Sequence, residues 1–413
     1  MTQPSISPRN VNSLVGANLF AQMADQLSLT AIPLIAVLYL GLGAGGVGTI
    51  SALQTLPYFL LSIPLGVLVD RVSKRGVMLA TELVRVCALV AILALAYFDS
   101  IGFWSLSILG FLAAFGSVGF NASLPAFLPI LVEKSRLSFY NGRLELVRSM
   151  SLILGPALAG ALAAWFGASN VFVLGVVMTV LTMGFISRIT VDGRTPQVGT
   201  GSKTPFANIA EGASFIFRDS RLSTIMLVAF VWNCGWFALQ AAFMPLAINT
   251  WGLSTEVVGY ALGCMGFGLL VGSFCSQRII EMLGFGASLA FGPVISFLAA
   301  MLVLANVNYE TAILPALAFF LFGFGPVIWV ITSNTLRQVI TPTHMLGCVS
   351  AMYMTTNWGA RPFGAMVGAV IGATYGEVMC LAAAAALFFT QMVLVFVTGL
   401  FRSRFGAAGT EAT

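Results

Sequence analysis

Apolar runs long enough to cross a lipid bilayer follow one another along almost the whole sequence, and they constrain its fold more than any motif does. A membrane helix needs about 20 mostly apolar residues. Runs of that kind, divided by polar or Gly/Pro-rich breaks, predict spans over 12–41, 46–69, 77–97, 103–131, 144–166 and 170–189. Six more follow over 222–249, 255–280, 286–305, 310–335, 349–373 and 376–401. The runs are continuous rather than alternating, which favours helices over a membrane β-barrel. Only 8% of the residues are charged, against about 25% in a soluble domain. That scarcity excludes a soluble enzyme, a disordered chain and a coiled coil. The fold class read from these runs is an all-α membrane protein, with twelve transmembrane helices in two six-helix pseudo-symmetric halves.

The few charges orient the chain. With the N-terminus inside, sixteen of the 19 Lys and Arg residues fall on the cytoplasmic side or at its interface. They run from Arg9 through Arg71, Lys74 and Arg75 to Arg402 and Arg404. The outer loops carry Asp99, Glu256, Glu310 and Glu377 but no base. Cytoplasmic loops collect Lys and Arg, so both termini are expected inside a bacterial inner membrane. The same rule accounts for the net charge of +5 without nucleic acid. No cleavable signal peptide is expected, because the first apolar run is too long for one and contains Asp25.

The longest polar stretch, Ser187 to Ser223, divides residues 1–189, a six-helix half, from residues 222–413, a second one. The segment 190–221 between them reads as a cytoplasmic linker, with Ile209, Phe215, Ile216 and Phe217 giving an amphipathic helix on the membrane face. A weak internal repeat fits this division: Val47-Gly48 and Val258-Gly259 open the second span of each half, and Pro33-Leu34 corresponds to Pro245-Leu246.

Gly66-Val-Leu-Val-Asp70-Arg71-Val-Ser73-Lys74-Arg75 joins spans 2 and 3. Gly66 suits close helix approach, Asp70 suits a helix N-terminus or an arginine, and the bases hold the loop in the cytoplasm. The segment resembles the loop 2–3 signature of the major facilitator superfamily, with Ser73 where glycine is usual. That resemblance implies a cytoplasmic gate at Gly66, Asp70, Arg71, Lys74 and Arg75. A degenerate copy at Gln277–Gly284 keeps an acid at Glu281 and lacks the bases. Gly155-Pro156-Ala-Leu-Ala-Gly160 in span 5 resembles the antiporter element of the same superfamily, with Ala159 in place of one glycine. A generic proline-kinked helix is the alternative. Span 4 lacks the arginine that common drug/proton antiporters carry there. The pattern around Asp25 and Pro33, with Glu211-Gly212 and Phe215, looks more like the branch of bacterial macrolide and siderophore exporters.

Six charges lie within spans, where each costs at least about 2.5 kcal/mol at the helix centre. Glu82/Arg85 and Glu145/Arg148 are i, i+3 pairs, suited to internal neutralisation. Asp25 and Arg361 have no opposite charge within a turn. Asp25 is the candidate protonatable carboxylate, since burial disfavours the charged form. Arg361 is a candidate for an anionic substrate group or for pairing with Asp25. A static structural contact is the alternative for each. Both are expected at a central cavity or at the interface between the halves. All six are carried forward as candidate proton- or substrate-coupling residues.

Trp104, Trp165 and Trp251 sit near outer span ends and read as an interfacial belt. Trp232, Trp236, Trp329 and Trp358 lie inside spans and suit either a cavity for a bulky amphipathic molecule or lipid packing. Gln54, Asn121, Asn233, Gln240 and Asn357 add intramembrane hydrogen-bonding groups. The six cysteines fall in or beside apolar runs and read as packing residues. Gly199–Thr204 lacks the glycine spacing of a phosphate loop. His344 and Cys348 alone make no zinc site.

No cofactor, metal or catalytic constellation is expected. The expected function is secondary active transport: export of a small, drug- or siderophore-like molecule by alternating access, as proton antiport. The expected partners are a small-molecule substrate, protons and the lipid bilayer, with the chain acting as a monomer. A lipid or metabolite carrier of the same fold is the alternative within transport. A membrane sensor or scaffold is the alternative outside it.

Overall fold

The structure is a computed structural model that describes residues 8–133, 136–193, 213–342 and 345–402. Among the described residues every regular element is helical. Eleven stretches are long and apolar enough to cross a membrane. The last of them, Met352–Val397, runs for 46 residues, more than twice what one crossing needs. It belongs to a 52-residue helix that breaks at Gly376 (φ 83°, ψ 178°). Counting its two arms separately gives twelve crossings.

The first elements are α1 (Pro8–Leu38), α2 (Ala44–Leu60), α3 (Ser62–Arg71), α4 (Lys74–Tyr97), α5 (Phe103–Leu131), α6 (Leu137–Phe166) and α7 (Val171–Ser187). The predicted second span is thus two helices. Pro64 lies in the first turn of α3, where its missing N–H is tolerated, but its ring displaces the carbonyl of Leu60 and interrupts the ladder. The later elements are α8 (Ser220–Pro245), α9 (Thr255–Leu283), α10 (Phe285–Ala305), α11 (Ile313–Ile340) and α12 (Leu346–Val397). A π-helical turn, Leu246–Thr250, extends α8. The Asp219 carboxylate caps α8 by accepting from the N–H of Arg221 at 2.8 Å and of Leu222 at 3.2 Å.

Residues 194–212, most of the expected linker, lie outside the described residues. Of its described residues, 213–218 are helical. Its Ile216 packs with Leu222 and Val349 in a small apolar cluster.

Contacts divide the chain into two compact units: Met1–Leu42 with Leu53–Thr200, and Gly43–Ala52 with Gly201–Thr413. In the first, α1 packs on α6 and α7, and α4 lies between α5 and α7. In the second, α8 runs along α12, while α11 packs on α9 and α10. The second unit includes the opening turns of α2. There the Glu377 carboxylate, placed one residue past the Gly376 break, accepts from the Ala44 N–H at 3.2 Å. A negative charge at a helix N-terminus is favourable.

Candidate functional site

The polar residues of α1 fall on one stripe. Asn18, Gln22 and Asp25 are spaced by four and three residues, so they share one helix face. The first unit buries that face. Gln22 donates to Asn121 at 2.9 Å and to Asn18 at 3.3 Å. Asn18 donates to the Leu144 carbonyl of α6 at 3.1 Å. Every donor here is satisfied by another helix or by its own, as an interior without water requires.

Asp25 sits at the end of the stripe, 7% exposed. Its Oδ1 accepts a hydrogen bond from the Tyr58 hydroxyl of α2 at 2.7 Å and a second from the Ser117 hydroxyl of α5. Ser117 in turn accepts from Arg85 Nη2 of α4 at 2.6 Å. The other terminal nitrogen, Nη1, donates to the Ala21 carbonyl at 3.2 Å and lies 3.3 Å from Glu82 Oε2. Glu82 and Arg85 are almost wholly buried. The glycine pattern of α5 makes room for them: a Cβ at Gly116 would stand 2.6 Å from Arg85 Cβ. Arg85 therefore reaches the α5 face that carries no arginine of its own.

The structure brings together Asp25, Glu82 and Arg85, with Asn121 a turn away on α5, and it adds Tyr58, Ser117, Asn18 and Gln22. Sequence reasoning passed over the added four. The signal for Asn18, Gln22 and Ser117 was the three-to-four-residue polar spacing within apolar helices, at 18/22/25 and 117/121. Gln54 is buried and donates to the Ser28 carbonyl at 3.1 Å. Arg148 is half-buried on α6, while the Glu145 side chain lies outside the described residues.

In the second unit the candidate residues meet aromatic neighbours. Trp232 and Trp236 stack at 5.6 Å with planes 7° apart. Trp236 also meets Phe319 and Phe322 edge-on, at 5.8 and 5.3 Å. The Trp232 indole N–H donates to Ser296 at 3.1 Å. Asn233 hydrogen-bonds to Asn357, tying α8 to α12. Trp329 is buried, and Gln240 and Trp358 are half-buried. Arg361 is half-buried with its guanidinium 5.8 Å from the Phe237 ring centre. Trp251 departs from the expected belt: it is 6% exposed and packs edge-on against Phe243, because the π-turn folds it inward. Trp104 and Trp165 are exposed. Arg337, expected at the interface, is buried over the Tyr353 ring at 4.2 Å, a cation–π contact.

The α3–α4 junction shows what replaces the usual glycine. Ser73 is the N-cap of α4, accepting from the Gly76 N–H at 2.9 Å, and its hydroxyl donates to the Asp192 carbonyl at 2.8 Å. Arg75 Nη2 donates to the Ser187 carbonyl at 2.9 Å, holding the C-terminal end of α7. Lys74 is buried and Arg71 is exposed; the Asp70 side chain lies outside the described residues. Gly66 departs from expectation: a Cβ there would meet nothing within 4 Å, since α3 turns this position away from its neighbours. In α6 the close approach is at Gly155, which faces Gln26 of α1. Pro156 is half-buried and Gly160 buried. Among the described residues the cysteines are free and no metal-binding cluster occurs.

The sequence model of the Major Facilitator Superfamily matches residues 14–365. The chain belongs to that superfamily. Membership makes it a transporter rather than an enzyme. Macrolide efflux protein A of Enterococcus faecalis is 24% identical over 245 residues, covering 56% of this chain and 74% of that one. The multidrug efflux pump Tap of Mycolicibacterium fortuitum is 23% identical over 354 residues, 84% of this chain and 85% of that one. A solved bacterial homologue of the iron transporter ferroportin superposes with a TM-score of 0.72 at 15% identity, covering 94% of this chain and 98% of its own. At that identity the likeness is one of fold.

Proposed function

We propose that the chain exports a small amphipathic molecule across the bacterial cytoplasmic membrane by alternating access, in exchange for protons. The observation that carries this reading is the buried cluster of Asp25, Glu82 and Arg85 inside the apolar body of a superfamily transporter. Ionisable groups are expensive in a membrane interior and mark ion or substrate pathways. The efflux relatives support the direction, since both are named as exporters. Half-buried Trp232, Gln240 and Trp358, beside the stacked Trp236, offer ring faces and an amide to a bulky amphipathic molecule. Buried Trp329 and Asn233, with half-buried Asn357, back that surface, and Gln54 and Asn121 play the same part in the first unit. Arg361 supplies a positive charge to the second unit and Arg148 one to the first, three residues after Glu145 in the sequence.

The basic α3–α4 turn and both termini face the cytoplasm in this reading. There Ser73, bonded to the Asp192 carbonyl, and Arg75, bonded to the α7 end, hold the turn carrying Asp70 as a gate. The test is accumulation of ethidium, an amphipathic cation, and of a macrolide in cells with and without the protein. Lower accumulation that an uncoupler abolishes is the expected result. Unchanged accumulation across a broad solute panel overturns transport, and export indifferent to the uncoupler overturns proton exchange.

A further inference from the structure

The cluster in the first unit does not balance its charge. Asp25 and Glu82 contribute two negative groups and Arg85 one positive. The other buried charge on α4, Lys74, is eleven residues before Arg85, about 16 Å along the axis. Helices α5 and α7 contain no titratable group, and neither does the turn Ala168–Asn170, while α6, which packs on α1, brings half-buried Tyr140 and Arg148 and exposed Arg143, the Glu145 side chain lying outside the described residues. From α3 comes exposed Arg71, and the Asp70 side chain lies outside the described residues. From α2 comes Tyr58, and α1 adds only Arg9, four turns from Asp25. Fully ionised, the three side chains Asp25, Glu82 and Arg85 carry one negative charge in excess, in an interior that disfavours net charge.

The two carboxylates are held differently. Asp25 Oδ1 accepts two O–H donors, from Tyr58 and Ser117, and Ser117 is polarised by Arg85 behind it. Donors converging on one oxygen stabilise a negative charge there. Glu82 is 0% exposed, and neither of its oxygens accepts a hydrogen bond. Its partner is the Arg85 guanidinium at 3.3 Å, which is already committed to Ser117 and Ala21.

We propose that Glu82, rather than Asp25, is the carboxylate that takes up and releases the exchanged proton, with Arg85 as its fixed countercharge. The proposal rests on the reading that the transporter exchanges protons. In the uptake step one proton adds to a Glu82 oxygen, no other covalent bond changes, and the cluster passes from one negative charge to neutral. Arg85 keeps its bonds to Ser117 and Ala21 throughout, so it then serves Asp25 alone. In the release step the proton leaves Glu82, and the guanidinium is again shared between two carboxylates.

Infrared spectroscopy of the full chain in lipid nanodiscs tests this. At neutral pH exposed carboxyls are ionised, so a protonated-carboxyl band reports a buried one. The wild type is expected to show this band at neutral pH and to lose it reversibly as pH is raised. The band is expected to persist in Asp25→Asn and Glu145→Gln, to shift in Glu82→Asp and to vanish in Glu82→Gln. Loss of the band in Asp25→Asn, its survival in Glu82→Gln, or its absence from the wild type overturns the assignment. Should Glu82→Gln not fold, Asp25→Asn decides alone. The spectra need no transport: a band assigned to Glu82 beside absent ethidium export overturns the export reading only. Uncoupler-sensitive export without the band overturns this proposal only.

Discussion

In the first unit, α1, α2, α4 and α5 meet around Asp25, Tyr58, Glu82, Arg85 and Ser117. In the second, α8, α11 and α12 meet around Trp236, Phe319, Phe322 and Phe388. Both interiors solve one problem. In lipid no hydrophobic force draws helices together, so close packing and polar bonds must hold them. The first unit answers with directional bonds, each fixed to one atom. The second answers with ring contacts that tolerate small shifts. A directional network suits a proton, whose binding changes one charge at one place. A ring cluster suits ligands of varied outline. Sequence halves that look alike in hydropathy can therefore hold their helices together by different means.

Breaking each interior is expected to give similar losses by different routes. Arg85→Ala leaves the buried Asp25/Glu82 pair without its countercharge, which costs about 3–5 kcal/mol. Trp236→Ala empties a ring-lined space at about 3–5 kcal/mol. Thermal unfolding in detergent measures both. What separates them is rescue: adding Asp25→Asn and Glu82→Gln restores most of the stability of Arg85→Ala, and none of that of Trp236→Ala. A failure of the double substitution to rescue would mean that Arg85 acts by packing alone.

Gly116→Ala sharpens the comparison by changing shape without touching a polar group. Its Cβ would stand 2.6 Å from Arg85 Cβ and 2.9 Å from the Thr81 carbonyl, and overpacking of this kind costs about 1–3 kcal/mol. It is expected to disturb the pH dependence of export as well as stability, whereas Trp236→Phe shifts solute preference and leaves the pH profile in place. Ser73→Ala removes the cap of α4 for about 1 kcal/mol. The smallest effect is at Gly66, where the space is open: Gly66→Ala is expected to leave the melting point unchanged or to raise stability by about 0.5 kcal/mol.

The helices were legible because each apolar run is long and bounded by charge or by Gly/Pro. The break at Leu61 needed Pro64 to be weighed against its carbonyl four residues earlier, and run length alone hides that. Asp25, Glu82 and Arg85 stood out as charges in apolar surroundings, yet their joining through Ser117 did not, because a serine in a membrane span is unremarked until its neighbours on other helices are known. Trp251 misled for a related reason. A tryptophan near a span end resembles a belt residue, and only the π-turn before it decides that the ring faces inward.

The break at Gly376 bears on how the protein is made. One residue separates the two arms of α12, and the corner between them offers Glu377 but no base to hold it on either side of the bilayer. A turn that tight cannot wait in water while one arm alone is threaded through lipid. The last two crossings are therefore expected to be released into the membrane as a single preformed hairpin, which makes the residue at 376 a checkpoint of biogenesis. A side chain there, strained at φ 83°, would be read first as poor insertion and only afterwards as altered transport.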